Sequence, residues 1–292
     1  MAAPKEWKKI LYEDQNKPDN YVDDKSFLRE LKKNKHIRSY EYWPTVSDSG
    51  CITQQISSVC IFVVIFMYMD NKQLKPDELF IVTTILTIIG YICYVKLENS
   101  SNTTRSNRTV CDDMKTSIMF GGFSFSLSPV LVSLTETIST DTIYAMTSMM
   151  MIANILFYNY SADQDDVPGT LSLNAATFAS ICLASRLNTT WHAFSIVLFS
   201  FEWFALWPLL RHRLKTIYPK CNNTITVVLG LLALVFLLST TIPGAILFLS
   251  IHIFINFICP AFLKILQVRK NNIYGPWDEA QPGLQNVKSK SS

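Results

Sequence analysis

The sequence predicts an all-α fold, a polytopic membrane helix bundle with about eight transmembrane helices and both termini in the cytosol. Apolar stretches, most of them about 17–20 residues long, recur between residues 52 and 263, and such a stretch crosses roughly 30 Å of hydrocarbon as a helix. Hydrophobic residues make up 49% of the chain and charged residues only 17%. The charges concentrate in the two ends and a few loops, as in a membrane domain with short polar tails.

The chain divides into three predicted segments. Residues 1–51 form a basic, interfacial cytosolic tail, residues 52–263 form the membrane domain, and residues 264–292 form a cytosolic C-terminal tail. The last two spans are separated by the breaker sequence STTIPG at 239–244, because one helix from 224 to 263 is too long for a single crossing. The predicted spans cover residues 52–69, 79–95, 118–134, 142–158, 171–185, 191–210, 224–240 and 243–263.

The basic residues predict the orientation of these spans. With eight crossings, 23 of the 26 Lys and Arg residues lie on the side of the two tails. Only Lys72, Lys75 and Arg186 lie on the opposite side. Basic loops stay on the cytosolic side of a membrane, so both tails are expected in the cytosol.

The N-terminal tail has the composition of a membrane-surface element. Residues 26–38 can form a short basic helix with Phe27 and Leu31 on one side, and Tyr42 and Trp43 follow just before the first span. Basic side chains attract anionic headgroups and Tyr and Trp favour the headgroup level. Two interpretations are open: specific binding of anionic lipid, or the ordinary positive flank of a first span.

The sequence shows no catalytic constellation. The acidic groups, at 112–113, 163–166, 136 with 141, and 278–279, do not have the spacing of a carboxylate pair or a metal site. The four histidines lie on separate segments, and there is no glycine-rich phosphate loop or nucleophile elbow. We therefore expect no catalytic residue, no metal site, no cofactor and no nucleic-acid partner.

Several polar residues fall inside predicted spans. Asn154 and Asn174 are expected to form hydrogen bonds between helices. Glu202 lies near the middle of the sixth span, and His252 and Asn256 lie one turn apart near the middle of the eighth. Intramembrane polar groups either mark a transport path or pair helices. Because Glu202 and His252 lie at similar depths, roughly 16 and 14 Å from the lumenal ends of their helices, we expect them to hydrogen-bond to each other.

Eight peptides together resemble one protein family. They are PDNYVD at 18–23, SPVL at 128–131, LTETISTDTIYAM at 134–146, TLSLN at 170–174, CLASRL at 182–187, HAF at 192–194, FALWP at 204–208 and NIYGPWDEA at 272–280. With these peptides in this order, the sequence is similar, over nearly its whole length, to the family of the C subunit of phosphatidylinositol N-acetylglucosaminyltransferase, PIG-C.

This resemblance implies a role in a complex of the endoplasmic reticulum. The complex transfers GlcNAc from UDP-GlcNAc to phosphatidylinositol on the cytosolic face, the first step of GPI-anchor biosynthesis. Its catalytic subunit is another chain, PIG-A, and the other family partners are PIG-H, PIG-P, PIG-Q and PIG-Y. The chain is then a multi-pass, non-catalytic subunit that scaffolds the complex and helps to present phosphatidylinositol.

The predicted topology sorts the family peptides by membrane side. Lumenal-end residues are expected to have structural roles, whereas cytosolic residues are placed near the partner subunits or the lipid headgroup. The lumenal-end residues are Glu136, Asp141, Arg186 and His192, and the cytosolic ones are Pro18, Asp19, Asn20, Tyr21, Trp207, Pro208, Gly275, Pro276, Trp277, Asp278 and Glu279.

Two other functional classes stay open from the sequence. A polytopic lipid-modifying enzyme with its own site would need a carboxylate that is essential for turnover but not for assembly. A lipid transporter or scramblase would need a polar path through the bundle, for which Glu202, His252 and Asn256 are the notable residues.

Overall fold

The structure is a computed structural model that describes residues 31–33, 40–100, 110–134, 138–160, 169–269 and 273–274. The chain divides into two compact units. The first comprises residues 42–261 and contains the membrane bundle. The second comprises the segments that precede and follow it in the chain.

Helices account for most of the described residues. The α-helices are α1 (Tyr42–Asp70), α2 (Pro76–Ser100), α3 (Val110–Leu134), α4 (Thr140–Leu156), α5 (Thr170–Ala184), α6 (Thr190–Phe201), α7 (Trp207–Ile217), α8 (Cys221–Thr240), α9 (Ile242–Ile253) and α10 (Cys259–Arg269). Two of the long helices contain a π-helical turn, at Glu202–Leu206 between α6 and α7 and at Phe254–Ile258 between α9 and α10.

The multi-pass membrane fold is confirmed. Within the described part of the chain, five helices are long and apolar enough to cross a membrane, and α3, α4 and α5 occupy the positions of the other three predicted spans. The number of eight crossings and the side of the termini stay predictions. The five helices are Tyr42–Asp70, Pro76–Leu97, Thr190–Ile217, Cys221–Thr240 and Ile242–Gln267.

Prolines shape the helix ends and the π-helical turns. Thr241 is extended between α8 and α9, and Pro243 lies in the first turn of α9, so the predicted break is confirmed. Each π-helical turn ends two residues before a proline in the next α-helix, Pro208 or Pro260. A proline lacks an N–H and its ring collides with the carbonyl four residues earlier, and the wider turn accommodates both effects.

Helix α1 forms the polar centre of the bundle. The buried Gln54 side chain donates through Nε2 to the backbone oxygen and Oδ1 of Asn222, at 3.1 and 3.0 Å, and to Thr226 Oγ1 at 2.7 Å. The Gln55 side chain donates to Asn154 Oδ1 at 2.8 Å. These bonds join α1 to α8 and to α4, and they satisfy amide nitrogens that would be costly to bury alone.

The polar contacts of α1 extend to two further helices. Asn154 donates through Nδ2 to Ser172 Oγ at 2.8 Å, which joins α4 to α5, so its expected role between helices is confirmed. Asn256 accepts from Ser49 and Thr53 at 3.3 and 3.4 Å. Both contacts bind the last long helix to α1.

The apolar core lies beside this polar centre. Phe62 of α1 is fully buried, stacks on Phe199 at 6.1 Å and meets Phe204 edge-on at 5.3 Å. Small residues, Ala176 and Ala179 of α5, are also fully buried in the same cluster. Small side chains let helices approach closely, which is how membrane helices pack without a hydrophobic driving force.

The predicted hydrogen bond between Glu202 and His252 is wrong. His252 uses both ring nitrogens elsewhere, with Nε2 3.1 Å from Ser57 Oγ and Nδ1 3.2 Å from the carbonyl oxygen of Phe248. The Glu202 carboxyl group interacts instead with Thr87 of α2. Equal depth in the membrane does not bring two side chains together, because the neighbours of a side chain also depend on the direction in which its helix face points.

The predicted basic helix over residues 26–38 is wrong where the structure describes it. Lys32–Lys33 forms a short strand, β1, which pairs antiparallel with β2 (Ile273–Tyr274). Lys32 lies opposite Tyr274. A strand satisfies its backbone N–H and C=O groups through a partner segment, so the strand at Lys32–Lys33 depends on residues far away in the sequence.

The close contact between α1 and α8 gives a testable prediction. A Cβ atom on Gly50 would lie 2.8 Å from Thr226 Oγ1, the hydroxyl that accepts from Gln54. Gly50→Ala should therefore lower the free energy of unfolding by about 1–3 kcal/mol, because Thr226 must turn away from Gln54. Thermal unfolding in detergent, followed by gel filtration, measures this effect.

The matched control is Gly122→Ala in α3. Nothing lies within 4 Å of a Cβ at Gly122. This change should leave the midpoint of thermal unfolding unchanged or slightly higher, since alanine is the better helix former. Equal stability of the two variants would contradict the proposed packing of α1 on α8.

Candidate functional site

An open cleft lies at one end of the bundle. We call this end of the bundle the Arg211 end. The lining of the cleft comes from the start of α1, the residues after α4, helix α7 and the start of α8. All of these segments are on the predicted cytosolic side. The lining residues used below are Cys51, Tyr158, Tyr160, Pro208, Arg211, Lys215 and Asn222.

Arg211 is the central charged group of the cleft. Its residue is only 5% exposed, and its guanidinium donates through Nη2 to the Tyr158 hydroxyl at 2.7 Å. The guanidinium carbon also lies 5.3 Å from the centre of the Tyr158 ring. The other terminal nitrogen, Nη1, is buried without a hydrogen-bond partner in the described part of the chain. A buried cation with a free donor is a costly arrangement that an anion would relieve.

Helix α7 places a second cation beside Arg211. Lys215 is one turn further along α7, so both basic side chains lie on the same helix face. The Lys215 ammonium nitrogen lies 3.3 Å from Cys51 Sγ and 4.0 Å from an oxygen of Asp48, an exposed carboxylate outside the cleft lining. Pro208 begins this helix and is itself part of the lining.

The aromatic wall of the cleft is electrically neutral. The rings of Tyr158 and Tyr160 lie 5.0 Å apart, and the Tyr160 hydroxyl donates to the carbonyl oxygen of Ile155 at 2.7 Å. Burial raises the pKa of Tyr160, the nearby Tyr158 raises it further, and the positive charge of Arg211 lowers it in part. Tyr160 therefore keeps its proton at neutral pH and adds no negative charge to the cleft.

The inner wall of the cleft is fixed by α1 and α8. Asn222 is buried and donates through Nδ2 to the backbone oxygen of Ser47 at 3.1 Å, while its own carbonyl groups accept from Gln54. Ser47 donates to Asn223 Oδ1 at 2.7 Å. Among the described residues, the lining of the cleft contains two cations, Arg211 and Lys215, and no Asp or Glu, so its chemistry suits a small anion.

The opposite end of the bundle brings together residues that were expected on the lumenal side. Trp191 donates through Nε1 to Asp77 Oδ1 at 2.6 Å, and Tyr68 contacts Ser239. Arg186 donates to the carbonyl oxygen of Ile138 at 3.2 Å. Trp191, Asp77, Tyr68 and Ser239 lie near helix ends, whereas Arg186 and Ile138 lie in connecting segments. A structural role for the predicted lumenal-end residues stays a prediction.

Several predicted site residues have defined places. His192 Nδ1 lies 2.6 Å from Thr189 Oγ1 at the start of α6, and Asp141 is exposed in the first turn of α4. Trp207 is half-buried and its ring lies parallel to that of Trp203, with centres 6.1 Å apart. The predictions for Pro18, Asp19, Asn20, Tyr21, Glu136, Gly275, Pro276, Trp277, Asp278 and Glu279 lie outside the described residues.

The intramembrane polar residues do not form a common group of contacts. Glu202 is buried beside α2, whereas His252 and Asn256 contact different residues of α1. One carboxylate oxygen of Glu202, Oε2, has no partner among the described residues. Within those residues no group of three or more His, Cys, Asp or Glu side chains could hold a metal ion.

Sequence reasoning missed the main residues of the cleft. Arg211 and Lys215 were counted only as basic flanks of the sixth span, and Tyr158 as the end of the fourth. Two signals were present: the spacing of four between the basic residues, and the Tyr-Asn-Tyr sequence at 158–160. Neither signal shows that the two segments meet.

The fold and the cleft define a class of protein, a multi-pass membrane protein with a basic recess at one end of its bundle. Comparison with known proteins gives the family. Residues 7–278 match the family model described as GPI2, phosphatidylinositol N-acetylglucosaminyltransferase. No solved structure matches the chain.

Curated relatives match nearly the whole chain. The C subunit of phosphatidylinositol N-acetylglucosaminyltransferase from Bos taurus is 46% identical over 275 residues, which is 94% of this chain and 92% of the relative. The Homo sapiens protein of the same name is 44% identical with the same coverage. The phosphatidylinositol N-acetylglucosaminyltransferase GPI2 subunit of Schizosaccharomyces pombe is 34% identical over 97% of this chain and 89% of the relative.

The chain belongs to the family of the C subunit of phosphatidylinositol N-acetylglucosaminyltransferase, PIG-C. The family resemblance drawn from the eight peptides is therefore confirmed. Family membership connects the bundle with GPI-anchor biosynthesis and with a transferase that has several subunits.

The contact between Arg211 and Tyr158 gives a prediction about stability. Tyr158→Phe keeps the ring next to the guanidinium but leaves Nη2 without its acceptor. The free energy of unfolding should fall by about 1–3 kcal/mol, the cost of an unpaired buried donor. Tyr218→Phe, at a side chain of a residue that is 51% exposed, is the control and should have no effect on the thermal midpoint. Equal midpoints for the two variants would show that the hydrogen bond contributes nothing.

Proposed function

We propose that this chain is a non-catalytic membrane subunit of the complex that transfers GlcNAc from UDP-GlcNAc to phosphatidylinositol in the endoplasmic reticulum. It scaffolds the other subunits and helps to present the lipid substrate. The catalytic site belongs to a partner of the PIG-A type, and PIG-H, PIG-P, PIG-Q and PIG-Y are the other partners. The names of the relatives, which call them subunits of this transferase, support an assembly of several chains.

The observation that carries the scaffold role is the distribution of apolar surface. Only 11% of the α2 span and 11% of the last long span are buried inside the chain, against 61% of α1. The exposed residues on α2 include Ile85, Ile88 and Ile89. Such broad apolar faces on several long helices provide contact area for membrane lipids and for the helices of other subunits.

The buried polar groups support the same proposal. Gln54, Gln55 and Asn154 bond helices to one another, so they hold the bundle together and are not presented to a substrate. The cleft around Arg211 is the exception, and its described lining offers positive charge without a carboxylate that could act as a general base.

The proposed orientation places the Arg211 end in the cytosol. The loops that form this end carry most of the basic residues of the membrane domain, which supports the assignment by the positive-inside rule. Protease added to sealed microsomes should then remove a tag at the N-terminus, and a protected tag would reverse the placement.

One purification tests the proposed function. The tagged chain, expressed in cells that lack their own PIG-C protein, should recover the catalytic subunit and transferase activity from solubilised membranes. Asp113→Asn should keep the activity within severalfold, because Asp113 accepts a hydrogen bond from Tyr91 at 3.1 Å and is assigned no part in catalysis. A general acid or base contributes about 10²–10⁴-fold, so loss of a catalytic group is easily distinguished.

Two outcomes would contradict the proposal. Recovery of the chain alone, from membranes that contain the other subunits, would remove the scaffold role. A thousandfold loss of activity in an Asp113→Asn complex of normal composition would favour an enzyme with its own site.

A further inference from the structure

We propose that the cleft around Arg211 binds the phosphodiester group of phosphatidylinositol, with the Arg211 guanidinium and the Lys215 ammonium as the groups that recognise it. The inference rests on the proposed function and extends it by naming a lipid-binding site on this chain. The charge, shape, position and size of the cleft support it.

The charge of the cleft is unbalanced. Arg211 is 95% buried, yet its Nη1 has no hydrogen-bond partner in the described part of the chain. Tyr158, its partner at Nη2, is a neutral hydroxyl. Asp48 lies near Lys215 and is largely exposed, so no carboxylate of the described residues pairs with Arg211. Burial of a cation is tolerated when a complementary anion completes the site.

The shape of the donors matches a phosphate group. A guanidinium presents N–H groups that pair with phosphate oxygens. Tyr158 accepts from Nη2 and fixes the plane of the group, and Nη1 has no partner among the described residues. Lys215 adds a point charge from the next turn of α7. A phosphodiester carries a single negative charge and two free oxygens, which fits one oriented guanidinium and one ammonium group.

The position of the cleft along its span corresponds to the membrane surface. Arg211 and Lys215 lie near the end of the span Thr190–Ile217, where lipid headgroups meet water. Tyr158 and Tyr160 are of the residue types that favour this level. Leu156 and Phe157, which directly precede Tyr158, are 70% and 55% exposed. One segment therefore supplies both the partner of Arg211 and apolar surface suited to acyl chains.

The size of the recess suits one phosphate. Its volume is about 40 Å³, which leaves room for one small group and not for a whole lipid headgroup. The diphosphate of a nucleotide sugar offers the same chemistry, so the experiment includes it as a competitor. The small volume and the apolar surface of Leu156 and Phe157 beside the cleft favour the lipid diester over a diphosphate.

The test uses photolabelling of the whole complex. A phosphatidylinositol carrying a diazirine near the glycerol end of one acyl chain is added to the purified complex and irradiated. The fraction of this chain that is labelled is then measured by mass spectrometry, which also locates the label. We expect labelled peptides that contain residues 156–160 or 208–215, and competition by excess dioctanoyl phosphatidylinositol. Dioctanoylglycerol, inorganic phosphate and UDP-GlcNAc should compete at least tenfold less well.

Matched variants distinguish binding in the cleft from a general effect of positive charge on α7. Arg211→Gln should lower the specific labelling at least about tenfold. Arg213→Gln removes the same charge from the same helix, outside the cleft lining, and should leave the labelling at the parent level. Arg211→Lys and Lys215→Gln should give intermediate losses. These two variants also carry the test if Arg211→Gln does not accumulate.

Three results would overturn the inference. Labelling of Arg211→Gln at the parent level would show that the cleft does not bind the lipid. Parent-level labelling of both Arg211→Lys and Lys215→Gln would show the same. Competition by UDP-GlcNAc or inorganic phosphate as strong as that by the lipid would assign the cleft to a soluble phosphate. Loss of a partner protein in Arg211→Gln, with unchanged labelling of the chain, would assign Arg211 to a protein contact. Recovery of the other subunits by the parent chain is measured separately. Failure of the scaffold role can therefore be distinguished from failure of lipid binding at the cleft.

Discussion

The hydrogen bonds that Gln54 and Gln55 donate across the interior of the bundle are the interactions on which the remaining structure depends. An apolar helix in lipid can slide or rotate against its neighbours at little cost, because every face is equally compatible with hydrocarbon. A buried amide cannot, because it must meet its partner or remain unpaired. Two consecutive glutamines on α1, which point to Asn222 and to Asn154, therefore fix the rotation of three helices at once.

The same bonds build the cleft. Gln54 holds the start of α8, where Asn222 forms part of the inner wall, and Gln55 holds α4, whose C-terminal continuation carries Tyr158. Tyr158 in turn orients Arg211. The cation is thus placed by a chain of contacts that begins at α1. A scaffold protein that keeps its own helices in a fixed arrangement can offer partners and a lipid headgroup a preformed surface, which lowers the entropic cost of assembly.

Sequence reasoning predicted the parts of the structure that depend on hydropathy along the chain. The apolar stretches gave the long helices, and STTIPG at 239–244 gave the break between α8 and α9. It did not predict which faces meet. Glu202 and His252 were paired by depth alone, but α2 and α1 supply their partners. The π-helical turns and the strand at Lys32–Lys33 were also missed, because both depend on interactions with residues elsewhere in the fold.

The central claim is that α1 is held against the start of α8 at the Arg211 end, and a cysteine cross-link tests it most directly. Ser47 Oγ and Asn223 Oδ1 lie 2.7 Å apart at the exposed edge of this contact. With cysteine at both positions, mild oxidation of native membranes should form an intramolecular disulfide, seen as one linked peptide pair after digestion. Either single cysteine variant should not give that pair. Two cysteines that both react with maleimide but never cross-link would contradict the account.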